Sequence, residues 1–61
     1  MTPEQFLEQA RARKDWAWTF FHHMTRADKQ AFDAWLVQIC HPLAYEPGTT
    51  EMRFRLLAES R

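Results

Sequence analysis

The sequence predicts a small all-α fold: a long first helix, a tight turn, a second amphipathic helix, a connector and a short third helix. Three observations carry that expectation. Thr2 and Thr25 each open a segment with the residue spacing of a helix cap. No glycine or proline interrupts the chain between Glu4 and His41. Phe32, Trp35, Leu36 and Ile39 recur at the intervals of one helix face, with Ala31 beside them.

The first element starts at Thr2-Pro3-Glu4-Gln5. Thr2 can cap, Pro3 suits the first helical position, and Gln5 sits where a capping box places Glu or Gln. One helix over residues 3–23 is expected. Along it Phe6, Ala10, Ala17, Phe21 and Met24 share a face, while Glu4, Glu8, Arg11, Asp15, Thr19 and His22 share the opposite one. Glu8 with Arg11, and Arg11 with Asp15, are spaced to pair across that wet face.

The second half of this helix carries far more apolar surface than the first. Trp16, Trp18, Phe20, Phe21 and Met24 crowd one short stretch, and Thr25 ends it. Trp16 and Trp18 fall about 160° apart around the axis, so one flat partner helix cannot cover both. The half-helix is therefore either sandwiched by its own chain or leaves one tryptophan for a partner.

Thr25-Arg26-Ala27-Asp28 begins the second helix, expected over 26–40 and stopped by His41-Pro42. Lys29, Gln30, Asp33 and Gln38 should face water. Residues 41–49 form the connector, with a turn at Pro47-Gly48, and Leu43 and Tyr45 should cover one end of the core. The last segment, 50–60, admits two readings. Met52, Phe54 and Leu56 alternate with charges as in a strand, yet Phe54, Leu57 and Ala58 form a helical stripe, and Glu51, Arg55 and Glu59 are spaced to pair on a helix. The helix is favoured, because a lone strand would lack a partner. The alternative fold is a helical hairpin plus a C-terminal β-strand or hairpin.

Size and charge narrow the function. Sixty-one residues suit one small domain, which buries only about 60% of its unfolded surface and gains much from a partner. Cys40 is the only cysteine, so no disulfide forms within the chain, and a reducing, cytoplasmic location is expected. The start is charged and lacks the apolar stretch of a signal peptide, and no apolar run is long enough to span a membrane. Eight basic and eight acidic residues cancel, which removes the broad positive footprint of a nucleic-acid binder and favours self-association.

Candidate chemistry is sparse. His22, His23, Cys40 and His41 are potential zinc ligands, but the two pairs lie at opposite ends of the second helix, about 22 Å apart at 1.5 Å per residue. No metal or cofactor is expected. Cys40 lacks a catalytic context and reads as a partly buried structural thiol. With one glycine, the chain has no phosphate-cradling loop. A non-enzyme is expected. Histidines near helix ends are expected to serve carbonyls and the local dipole.

What remains is surface. Arg13 and Lys14 border the apolar face and, with Trp16, Trp18 and Phe20, compose the expected protein interface, since Trp and Arg are the residues of binding hot spots. The expected function is a non-catalytic interaction module, a small adaptor, regulator or inhibitor that binds another protein and forms a homodimer. Such a chain would suit a phage or mobile element that disables a host protein. The alternative is a DNA- or RNA-binding regulator using Arg11, Arg13, Lys14, Arg53 and Arg55, with Arg61 beside them. A connector of nine residues weakens that alternative, because a helix-turn-helix wants three or four.

Overall fold

A computed structural model describes residues 1–60; Arg61, one of the arginines of the nucleic-acid reading, lies outside them. The chain forms four α-helices, α1 (Pro3–Arg13), α2 (Trp16–His23), α3 (Arg26–Gln38) and α4 (Thr50–Glu59), with a 3₁₀ turn at Pro42–Tyr45 before α4. No strand occurs among the described residues, so the last segment is helical and the β alternative is overturned. The expected all-α class holds, with four helices where three were expected.

The difference lies at Lys14-Asp15, where the single long helix breaks in two. Lys14 adopts a left-handed conformation (φ 54°). Its N–H donates to the Arg11 carbonyl, and the Asp15 N–H donates to the Ala10 carbonyl at 3.3 Å. This is the Schellman closure of a helix end. Asp15 then caps α2, its Oδ1 accepting from the Trp18 N–H at 2.9 Å. Asp15 therefore does not pair with Arg11. Nor does Glu8: the Arg11 side chain reaches across to α4 and donates to the carbonyls of Leu57 (2.8 Å) and Ser60 (3.1 Å). Those are the terminal carbonyls a helix cannot satisfy itself, and a cation also suits that end of the dipole.

Both threonine caps form as the sequence implies. Thr2 and Gln5 exchange side-chain and backbone bonds, as do Thr25 and Asp28. Thr25 donates its backbone N–H and its hydroxyl to Asp28 Oδ2, and this holds the Asp28 carboxyl below its ordinary pKa.

The core joins all four helices: Phe6, Leu7 and Ala10 from α1, Phe20 from α2 with Met24 after it, Phe32 and Leu36 from α3, and Phe54 from α4. Phe54 is its hub, 5.7 Å from Phe20 and 5.5 Å from Phe32 between ring centroids. Trp16, Trp35, Ala44, Leu57 and Ala58 pack on the margin. The radius of gyration, 10.4 Å, is that of a closely packed chain of this length.

Several expected placements are corrected. Phe21 stands outside the core and is 63% exposed, whereas Thr19, expected on the wet face, is fully buried. The break explains both, because it rotates α2 relative to the phase an unbroken helix would give. Ala31 and Ile39 are exposed, so the buried stripe of α3 is narrower than its sequence suggests. That helix ends at Gln38, and a second Schellman closure follows, with Cys40 left-handed (φ 55°) and exposed rather than partly buried. Tyr45 points to solvent; Leu43 is half-buried and Ala44 meets the core. Asp33 does not simply face water: it accepts from the Thr50 hydroxyl and from Arg53 at 3.2 Å, tying α3 to α4. Among the described residues, no helix is long and apolar enough to cross a membrane.

Candidate interaction surface on the second helix

α2 has only eight residues, and its inward side is spent on Trp16, Thr19 and Phe20. Its outward side presents Trp18, Phe21 and His22, residues three and four positions apart that share a helix face. The neighbouring elements furnish this face with cations. The Arg13 guanidinium, from the end of α1, lies over the Trp18 ring, 3.8 Å from its centroid. His22 stacks on the same indole at 5.1 Å and His23 meets it, tilted, at 4.8 Å. Phe21 stands edge-on to Phe20 at 5.4 Å, and Lys29 Nζ, from α3, caps the Phe20 ring at 4.7 Å. The histidine pair thus attends Trp18. His41 accepts the Leu43 N–H at Nδ1 and caps the 3₁₀ turn. None of the three takes the carbonyl-serving role expected of a histidine at a helix end.

The residues expected at an interface divide. Trp18 lies outside the core with Arg13 on it. Trp16 packs on the core margin with Arg55 near its ring at 5.6 Å. Phe20, expected at the contact, is core: only 3% of it is exposed. Lys14 serves the helix break and borders, with Ala10, Arg11, Trp16, Ala58 and Glu59, an open cleft of about 350 Å³. Phe21 is the surface residue that sequence periodicity missed. The available signal was Asp15, a strong N-cap residue placed just before an aromatic run.

Among the described residues, Arg11, Arg53 and Arg55 of the nucleic-acid reading bond within the chain, and Arg13 lies against an indole. Arg11 caps α4, Arg13 stacks on Trp18, Arg53 bonds to Asp33 and the Glu46 carbonyl, and Arg55 pairs with Glu59 at 3.3 Å. No cluster of three or more metal-ligating side chains occurs among the described residues, and His22 and His23 stand apart from Cys40 and His41.

A second apolar face lies on α4. Met52 and Leu56, one turn apart, are about half exposed, and Arg55 and Glu59 flank them. Comparison with protein-family models, curated proteins and solved structures found no match to this chain.

Proposed function

We propose that the protein is a non-catalytic interaction module, a small adaptor, regulator or inhibitor that works in the cytoplasm by binding another protein. The observation that carries this reading is the outward face of α2, where Phe21 is exposed beside Trp18 on a helix whose other side is buried. The exposed Phe21 ring keeps apolar area in water that a partner can bury, and Trp with Arg is the composition of interface hot spots. Phe21 stands against the core ring of Phe20, and Trp18 is held among Arg13, His22 and His23, so a partner would meet a prepared surface rather than organise a loose one.

The protein acts as a homodimer through a different face. Met52 and Leu56 form a short apolar stripe on α4, and the flanking Arg55 and Glu59 carry opposite charges. An antiparallel pairing of two α4 helices would bring each stripe onto the other and each Arg55 toward an acidic residue of the second copy. A two-fold contact requires such self-complementarity. Trp18 and Phe21 then remain free for the partner.

Affinity capture from the source cell, with wild type beside Trp18→Ala and Phe21→Ser, tests the first part. Circular dichroism should show both variants folded, and both should lose the captured protein. Equal capture by the folded variants defeats the reading. Sedimentation equilibrium tests the second part: wild type should be dimeric and Leu56→Glu monomeric, and a monomeric wild type removes the homodimer. The nucleic-acid alternative draws less support, because Arg11 and Arg53 are engaged within the chain.

A further inference from the structure

We infer that the α2 surface selects an acidic partner segment, one that presents a carboxylate next to a large apolar side chain. The inference rests on the interaction reading above and names the chemistry of the partner at that same face. Its centre is Arg13. Its guanidinium carbon lies over the Trp18 ring, 3.8 Å from the centroid, and no hydrogen bond or ion pair to it is found among the described residues. A guanidinium offers five N–H donors in its plane, and stacking occupies only its face. Arg13 is thus a carboxylate fork resting against Trp18 with its donors unfilled. Such a fork binds a carboxylate through two parallel hydrogen bonds.

The apolar half of the contact lies alongside. Phe21 is one turn from Trp18 on the same face and is the most exposed residue of α2 with a large ring. The rest of the rim is formed by His22 and His23 at the end of α2 and by the Lys29 ammonium over Phe20. Lys29 forms no ion pair among the described residues. The carboxylates that flank α2 in sequence are turned to backbone N–H groups, Asp15 in capping α2 and Asp28 in the capping box of α3. A net-neutral chain therefore sets unpaired cations around an exposed aromatic centre. Two copies of this rim would repel one another, so it does not suit the homodimer contact. A base is also a poor occupant, since Arg13 and His22 already stack on the indole where a base would lie.

Selection from a random-peptide display library on the full chain, repeated with oligothymidine as a separate probe, tests the inference. Enriched peptides should place Asp or Glu beside Leu, Phe or Trp. Their affinity should fall on the order of tenfold or more for Arg13→Glu and Phe21→Ser, and less for Arg13→Lys, which keeps the charge but not the fork. Lys29→Glu should weaken them further when combined with Arg13→Lys. Matching thermal melts for each variant exclude misfolding as the cause. Peptides that need Phe21 but carry no acidic bias and ignore Arg13→Glu overturn the acidic partner and leave the interaction face standing. Peptides that bind Trp18→Ala and Phe21→Ser as well as wild type, or no enrichment at all, overturn both. Oligothymidine binding that Arg13→Glu abolishes also overturns the acidic partner, in favour of a nucleic acid.

Discussion

α2 and α3 are both aromatic helices, and they spend their rings in opposite ways. α3 turns Phe32, Trp35 and Leu36 toward the core and leaves no aromatic ring outside it, only the aliphatic Val37 and, at its C-cap, Ile39. α2 sends Trp16 and Phe20 inward but holds Trp18 and Phe21 outside. The contrast follows from the number of apolar faces each sequence supplies. On α3 the aromatic side chains fall within one stripe, so only one orientation buries them. On α2 they surround the axis, and any orientation leaves some in water. A helix of the first kind serves the fold; a helix of the second kind keeps surface that the fold cannot use.

Single substitutions can break this comparison, and the largest effect should fall on the shared core. Phe32→Ala should cost about 3–5 kcal/mol, enough to unfold so small a protein, whereas Phe21→Ala should shift stability by less than about 0.5 kcal/mol. Urea melts of the two variants measure the difference, and equal losses would place Phe21 in the core. Thr19 sharpens the account of α2. Its hydroxyl is buried with no hydrogen-bond partner, so Thr19→Val should raise stability by about 1–2 kcal/mol. A loss would mean that the hydroxyl is satisfied.

The two helix ends come next. Lys14 and Cys40 hold left-handed conformations that cost a residue with a Cβ about 1 kcal/mol. Lys14→Gly and Cys40→Gly should each raise the melting temperature by a few degrees, as expected for about 1 kcal/mol in a domain of this size. If Lys14→Gly is destabilising, α1 and α2 are joined differently.

The smallest effect is electrostatic. Asp28 has its pKa lowered by the Thr25 backbone bond and then by the Thr25 hydroxyl bond. A depressed carboxylate stabilises the fold above its unfolded pKa, and that contribution disappears as pH falls through the folded value. Stability should therefore decline below about pH 4, and Asp28→Asn should flatten part of that decline in acid melts.

Much of this arrangement was legible before any tertiary contact was known. The Thr2 and Thr25 caps are local, since a side chain bonds a backbone group three residues on. The inward positions Phe32 and Leu36 follow from one unambiguous stripe, and Phe54, Leu57 and Ala58 from another. The Arg55–Glu59 pair formed as its spacing implied. The helix break was concealed because no glycine or proline marks it: Lys14 takes a glycine's conformation within a run of good helix formers. That one residue reassigned Thr19, Phe20 and Phe21 together.

The sequence by itself determined the helices and the caps that begin them, because hydrogen bonds between near neighbours and a period of 3.6 residues need no distant partner. Only the tertiary structure decided which way α2 faces. Its residues are apolar on every side, so local energies scarcely distinguish one rotation from another. The choice fell to distant groups: Phe54 drew Phe20 inward, and the Schellman closure at Lys14 set the phase from which Phe21 points to solvent and Trp18 stays half-buried outside the core.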